Sequence, residues 1–396
     1  MELIMGHADT AGAGRRQSPV TLLIVGGGIM GLWAAVKAGR AGIDTLLIDG
    51  SGVASGASGG ILGALMPHMP DRWSAKKQFQ FDALLSLEEE IAALEAETGL
   101  DAGYRRCGRL IPLPKPHLVD IALGHQRDAD IHWRQGSRSF AWNVITAPLE
   151  AGWPVVETGQ PLVHDTFAAR VSPRGLTAAL RRSAERLANV SIMEGTDVVG
   201  FDTAGSAALL SDGERIAYGH CIVAAGHRSF DLLASLGPDL PRPLGQAVKG
   251  QAALLRAAIN PDLPLVFLDG LYIVPHGDGT VAIGSTSENS FDQPFDTDSQ
   301  LEDLTARARA LVPSLHDADV IARWAGLRPK AIERDPMVGP HPEHGNVLAL
   351  TGGFKVSFGL AHRLAEAVLA PLTGASISLP PGFDMAHHLA SASRQR

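Results

Sequence analysis

Cysteine is nearly absent from this chain. Cys107 and Cys221 are the only two in 396 residues, too few for a disulfide framework and in no metal-ligand spacing. A reducing, cytoplasmic setting is therefore expected. An excess of positive charge is absent too: 34 Lys+Arg stand against 42 Asp+Glu, a net charge of -8. Nucleic-acid binders usually carry a basic footprint, so no nucleic-acid partner is expected. No stretch offers the roughly 18 consecutive apolar residues of a spanning helix, and no membrane span is expected. The fifteen histidines contain no H-E-x-x-H, and His341 and His344 fall in a Pro/Gly-rich stretch read as a loop, so no metal is expected. Hydrophobic residues at 45% and charged residues at 19% are those of a globular enzyme, long enough for two or three domains.

Glycine, by contrast, is plentiful and unevenly placed. Fourteen of the 44 glycines lie in the first 60 residues, which points to close backbone approach to a bound group. Residues Met1 to Pro19 have no apolar period and are expected to form a flexible leader, with Met1 or Met5 as the true start. Arg15-Arg16 is not read as an export signal, because the apolar run after it, Val20 to Val25, is short and leads directly into glycines. Trp73 to Gly99 reads as a helix with Leu84, Leu87, Ile91 and Leu94 on one face. Met193 to Ala224 reads as short strands with a turn at Ser211-Asp212-Gly213, and Leu271–Val274 and Val281–Ile283 read as strands. Val347 onward reads as strand, Gly352-Gly353, then a helix from about Gly359 to Ala370.

The strongest motif is G-x-G-x-x-G between a strand and a helix: Gly26, Gly28 and Gly31, with Ile29 and Met30 inside it, followed by the helical run Leu32 to Gly39. Gly26 permits the tight turn, Gly28 lets the backbone approach a pyrophosphate, and Gly31 lets helix pack on strand. A second strand, Ile43 to Ile48, ends at Asp49, 23 residues after Gly26, where a carboxylate accepts from ribose hydroxyls. This pattern indicates a dinucleotide and leaves NAD and FAD open. The Ser/Gly run Ser51 to Gly60 follows, with hydroxyls and bare amides suited to phosphate or to an isoalloxazine ring.

Ala54-Ser-Gly-Ala-Ser-Gly-Gly60, Cys221-Ile-Val-Ala-Ala-Gly226 and Trp324-Ala-Gly-Leu-Arg328-Pro329 resemble the D-amino-acid oxidase and glycine oxidase family of FAD enzymes, from about Val20 to Ala370. The resemblance implies an α/β fold in which a Rossmann-like FAD-binding domain (20–75, 171–245 and 325–390) is interleaved with a mixed-sheet α+β substrate domain (76–170 and 246–324). It implies noncovalent FAD, since the Ser/Gly loop holds no His and the closing region no Cys. It assigns Gly26, Gly28, Gly31 and Asp49 to pyrophosphate and ribose, Ser55, Ala57 and Ser58 to the flavin side, and Val198 to the adenine. Gly226 would end a strand beside the cofactor, and Gly352, Gly353, Phe354, Lys355 and Val356 would close over the flavin.

For the substrate, the resemblance implies Arg328 as carboxylate clamp, with Tyr272 shaping the pocket. Lys355 stands where glycine oxidases usually have Arg, and Gly270 where many have a polar side chain; both changes are expected to reshape the pocket and put glycine itself in doubt as substrate. The implied reaction oxidises the C–N bond of a small amine or amino acid by hydride transfer to flavin N5, giving an imine that water hydrolyses. The electron acceptor is O2 or another, no side-chain base is required, and a homo-oligomer is allowed. Some relatives place a Lys beside the flavin to help oxygen react; Val281-Ala282-Ile283, the strand expected there, has none. His68 is read as a polar loop histidine and Cys221 as buried core. Three alternatives stay open: an NAD(P)-dependent dehydrogenase, the flavin domain of a tRNA wobble-uridine modification enzyme (for which Gly56 to Pro67 is similar), and a flavoprotein fold kept as a scaffold.

Overall fold

A computed structural model describes residues 19–395; the expected leader, Pro19 excepted, lies outside the described residues. The apolar run Val20–Val25 is the central strand of the first sheet, with only Thr21 facing solvent. Thr45–Asp49 and Arg215–Val223 flank it in parallel. Val190–Glu194 extends the parallel set beyond Thr45–Asp49, and His344–Thr351 extends it beyond the upper half of Arg215–Val223. The lower half of Arg215–Val223 pairs instead with Ala207–Leu210, which pairs with Val198–Asp202, both antiparallel. Parallel strands are buried on both faces. Here one face carries the helices Ile29–Arg40, Ala75–Thr98, Pro173–Arg186 and Ser357–Thr373 around a core that includes Trp33, Leu84, Leu176 and Leu364.

The long helix was legible at both ends. Ser74 caps it by accepting from Lys77 N–H, and Gly99 ends it at φ 72°, the left-handed conformation that glycine adopts without steric cost. Its predicted apolar face is the buried one: Leu84, Leu87, Ile91 and Leu94 are all 3% exposed or less.

The second sheet is mixed, in the order Asp319–Ala331, Gly245–Arg256, Thr280–Gly284, Leu271–Pro275, Leu265–Leu268, Arg109–Pro112, Leu162–Asp165, Trp142–Ile145. Leu265–Leu268 runs parallel to Arg109–Pro112, and every other neighbouring pair is antiparallel. Helix Ser299–Leu311 covers one face, packing Leu301, Leu304 and Ala308 with Leu255, Val281 and Ile283. The chain thus has the α/β architecture expected, a Rossmann-like parallel sheet interleaved with a mixed sheet.

Three local readings are corrected. His341 and His344 do not lie in an irregular loop: they face each other where Met337–His341 turns back into His344–Thr351, with rings 5.4 Å apart. The boundary expected at residues 324/325 falls inside the continuous strand Asp319–Ala331 of the second sheet; we propose the two-part division with that boundary moved to the end of the strand. Gly270 does not shape the pocket. With Asp269 it makes the two-residue turn between Leu265–Leu268 and Leu271–Pro275, at φ 46° and 79°, and an Asp-Gly pair is favoured where both central residues need positive φ.

Candidate active site

A cavity of about 830 Å³ opens between the two sheets. Its floor is the glycine turn at the end of Val20–Val25. Gly26 has φ 105°, and a Cβ there would lie 2.5 Å from Ala224 O; no other residue fits. A Cβ on Gly31 would overlap the Gly26 carbonyl oxygen, so Gly31 lies behind the wall and seats the helix, while Gly26, Gly28, Ile29 and Met30 line the wall itself. The N-cap residue of helix Ile29–Arg40, Gly28, offers no side-chain cap. Ser58 supplies it from a distance: its Oγ accepts from Ile29 N–H at 2.9 Å.

Asp49 ends its strand beside this turn. Its Oδ2 accepts from Gly27 N–H at 2.7 Å, and its Oδ1 accepts from Ser51 N–H at 3.0 Å and Gly52 N–H at 2.8 Å. The carboxylate therefore braces both glycine-rich loops. A carboxylate has about four acceptor sites, so one remains for a ribose hydroxyl. Ser55 and Ala57 line the cavity with Ser58; Val198 and Gly226 line it from the neighbouring strand ends. Gly226 has φ 60°, and its carbonyl accepts from Thr351 Oγ1 at 2.8 Å. The cradle of positive-φ glycine, helix N-terminus and acid fits a dinucleotide pyrophosphate and ribose.

The closing segment divides. Phe354, Lys355 and Val356 line the cavity, but Gly352 and Gly353 do not. Gly352 takes φ 76°, and a Cβ on Gly353 would lie 2.5 Å from the Met30 methyl. The two glycines bring the segment down onto the first helix instead of facing the bound group. Helix Ser357–Thr373 begins directly after it and points its positive end at the cavity.

At the other end of the cavity stand Tyr272, Arg328 and Lys355. Arg328 comes from the strand Asp319–Ala331, and its Nη1 donates to Thr286 O at 3.1 Å. Burial lowers its pKa to about 10, opposed by the nearby Tyr272 and Glu288. Burial raises the Tyr272 phenol, which the charges of Arg109 and Arg328 partly offset, and its ring packs 4.9 Å from that of Phe267. Burial lowers the Lys355 ammonium, as does the charge of Arg328. Among the described residues, neither Arg328 nor Lys355 has a carboxylate ion-pair partner. Among the described residues, the only carboxylates on the wall, Asp49 and Asp197, sit at the glycine-turn end. The Arg328 end is thus a desolvated cationic site that an anionic ligand would complete.

Two wall residues were not legible as site residues. Arg109, 2% exposed, lines the cavity from the strand Arg109–Pro112; its Nη2 pairs with Asp165 Oδ2 at 2.6 Å. These residues are cross-strand partners 56 positions apart, and nothing local in the sequence announces the pair. His68, read as a loop histidine, lines the cavity as well; burial, then Lys76 and Lys77, lower its pKa to about 4, so it is neutral at neutral pH.

Residues 21–367 match the model of the FAD dependent oxidoreductase family. The chain is 31% identical over 358 residues to a glycine oxidase of Pseudomonas aeruginosa, covering 86% of this chain and 91% of that one. It is 29% identical to a glycine oxidase of Pseudomonas putida, covering 91% and 96%. Among solved structures, glycine oxidase from Geobacillus kaustophilus superposes with a TM-score of 0.80 at 23% identity, covering 92% of this chain and 97% of that one. Iminodiacetate oxidase from Chelativorans sp. superposes equally, 0.80 at 21% identity, covering 92% and 98%. At those identities the superpositions bear on the fold.

Proposed function

The chain belongs to the FAD dependent oxidoreductase family, and on that premise we propose that it oxidises the C–N bond of a small amino acid or N-substituted glycine. Membership decides between the two dinucleotides that the glycine fingerprint leaves open: the cofactor is FAD. The single observation that carries the substrate class is the Arg328 end of the cavity, where Arg328, Lys355 and Tyr272 converge and, among the described residues, no carboxylate is ion-paired with either cation.

FAD, when bound, supplies the two-electron acceptor for the C–H bond beside the amine. The residues proposed to hold it are Gly26, Gly28, the first turn of Ile29–Arg40, Asp49, Ser55, Ala57, Ser58, Val198, Gly226 and the segment from Phe354 to Val356. The chain's own part in the reaction is placement. The planar guanidinium of Arg328 grips a carboxylate through two parallel N–H donors, which fixes orientation as well as position. Tyr272 donates its phenolic proton to the same carboxylate. Lys355 adds charge without directional constraint, as an ammonium does. The substrate amine reacts in its neutral form, because its nitrogen lone pair forms the C=N bond as the hydride leaves; no side-chain base is assigned. Phe267, Trp324 and Phe354 wall the site with apolar surface and exclude water, which strengthens each charged contact.

The test is a substrate panel on purified holoprotein: glycine, N-methylglycine, iminodiacetate, D-alanine and the carboxylate-free methylamine. Flavin absorbance near ~450 nm is followed without oxygen, and peroxide is assayed with oxygen. At least one carboxylate-bearing amine should bleach the flavin while methylamine does not. Peroxide formation makes the protein an oxidase; bleaching without peroxide makes it a dehydrogenase. Bleaching by dithionite but by none of the carboxylate-bearing amines rejects the proposal.

A further inference from the structure

Arg328 does not reach its position unaided. Its strand partner is Val248, and two positions along the same strand lies Gly250, paired with Gly326. A Cβ on Gly250 would overlap the Arg328 guanidinium. The guanidinium therefore lies across bare backbone and reaches past that strand to the Thr286 carbonyl, 3.1 Å from Nη1.

What holds Thr286 there is a polar cluster on the far side of the sheet. Lys249 and Glu288 bridge backbone to backbone in both directions, at 3.0 and 2.9 Å. Gln251 N–H donates to Thr286 Oγ1 at 2.9 Å, and Thr286 Oγ1 in turn donates to Glu288 Oε1. Gln251 Nε2 donates to the same Oε1 at 3.0 Å. Lys249, 3% exposed, places its ammonium 3.6 Å from Glu288 Oε2 and 3.3 Å from Asp298 Oδ2. Every hydrogen bond made by the Glu288 side chain leads to Gln251 or to Thr286, and its charge opposes the loss of the Arg328 proton. Lys249 and Glu288 are buried while Asp298 opens to solvent; buried charges are costly unless fully satisfied, and this network ends at the cationic clamp.

We propose that Glu288 is a positioning residue for Arg328: with Lys249, Gln251 and Thr286 it fixes the carbonyl that holds the guanidinium in the seat left by Gly250. The proposal rests on Arg328 being the carboxylate clamp. It makes Gly250 and Glu288 determinants of affinity for the carboxylate half of the substrate, although neither touches it.

The experiment titrates the FAD-loaded protein with acetate, a carboxylate without an amine, and reads the perturbation of the flavin spectrum. Arg328→Ala, Glu288→Gln, Gly250→Ala and the double variant E288Q/R328A are compared. Glu288→Gln should weaken acetate binding about tenfold and Gly250→Ala about tenfold or more, the scale of one charge-assisted contact. In turnover both should raise KM for the acid more than they lower kcat. Glu288→Gln should have no further effect once Arg328 is Ala. If Arg328→Ala leaves acetate affinity unchanged, the clamp reading fails and this proposal with it. If Arg328→Ala weakens binding while Glu288→Gln and Gly250→Ala bind acetate like the parent, the clamp stands and the positioning role is overturned. An equal effect of Glu288→Gln with and without Arg328 overturns it too, because the glutamate then acts by another route.

Discussion

Ser58 Oγ accepts a hydrogen bond from Ile29 N–H at 2.9 Å, tying the Ser/Gly loop to the helix N-terminus 29 residues earlier. A helix cap supplied from another segment makes loop position and helix end depend on each other. Ser58→Ala should cost about 1 kcal/mol, the usual value of a lost N-cap, and weaken FAD binding about fivefold. Titrating apoprotein with FAD by flavin fluorescence measures this. An unchanged dissociation constant with a lowered melting temperature would make Ser58 a brace for the loop only.

Arg328→Ala should lower kcat/KM by roughly 30-fold to several thousand-fold for a carboxylate-bearing substrate, because removing one partner of a buried charged pair costs about 2–5 kcal/mol. The loss should be far smaller for the matching amine without the carboxylate. Arg328→Lys should recover charge but not the planar fork, and so only part of the rate. Equal slowing of acid and amine, with FAD retained, would make Arg328 structural.

FAD should copurify and be released into the supernatant by acid precipitation. The Ser/Gly loop from Ser51 to Gly60 holds no His or Cys, and the closing segment holds no Cys. Two histidines do reach the cavity wall, His68 and His227. Yellow colour left in the pellet, abolished by replacing one of them, would identify a tether.

His362 is 0% exposed, lies against Ser86 Oγ at 2.9 Å, and has its pKa lowered from 6.5 to about 3, mainly by burial and then by Lys37 and Arg363. The unfolded chain takes up a proton below pH 6.5 that the folded chain refuses until about pH 3. Its contribution to stability is therefore complete above that window and is lost as pH falls through it, by about 2 kcal/mol at about pH 5. His362→Gln keeps a polar group beside Ser86 and removes the titration. The drop in urea midpoint between about pH 7.5 and about pH 5 should be smaller in the variant than in the parent. An identical drop would place the acid sensitivity in His68, His276 or the carboxylates.

Much of the proposed cofactor end was readable in sequence because its requirements are local. A tight turn at positive φ, a helix packed close on a strand, and an acid at the next strand end are each met within a few residues of Gly26 and Asp49. The long helix announced its extent and its buried face for the same reason. The substrate end was readable only through resemblance: the run from Trp324 to Pro329 singled out Arg328, but no periodicity says which way a strand arginine points.

What the tertiary structure decided is register. A one-residue slip between two strands moves every side chain to the other face, so only the pairing of Gly245–Arg256 with Asp319–Ala331 could lay Arg328 over Gly250. Only the pairing of Arg109–Pro112 with Leu162–Asp165 could set Arg109 against Asp165 at the cavity wall. The same dependence explains the misreading of Gly270, which looked like a missing pocket side chain and is a hairpin turn. The amino-acid sequence by itself determined a glycine-lined dinucleotide cradle, because backbone sterics act between neighbours. The cationic end of the cavity, and the polar cluster behind it, exist only once strands distant in the chain are brought side by side.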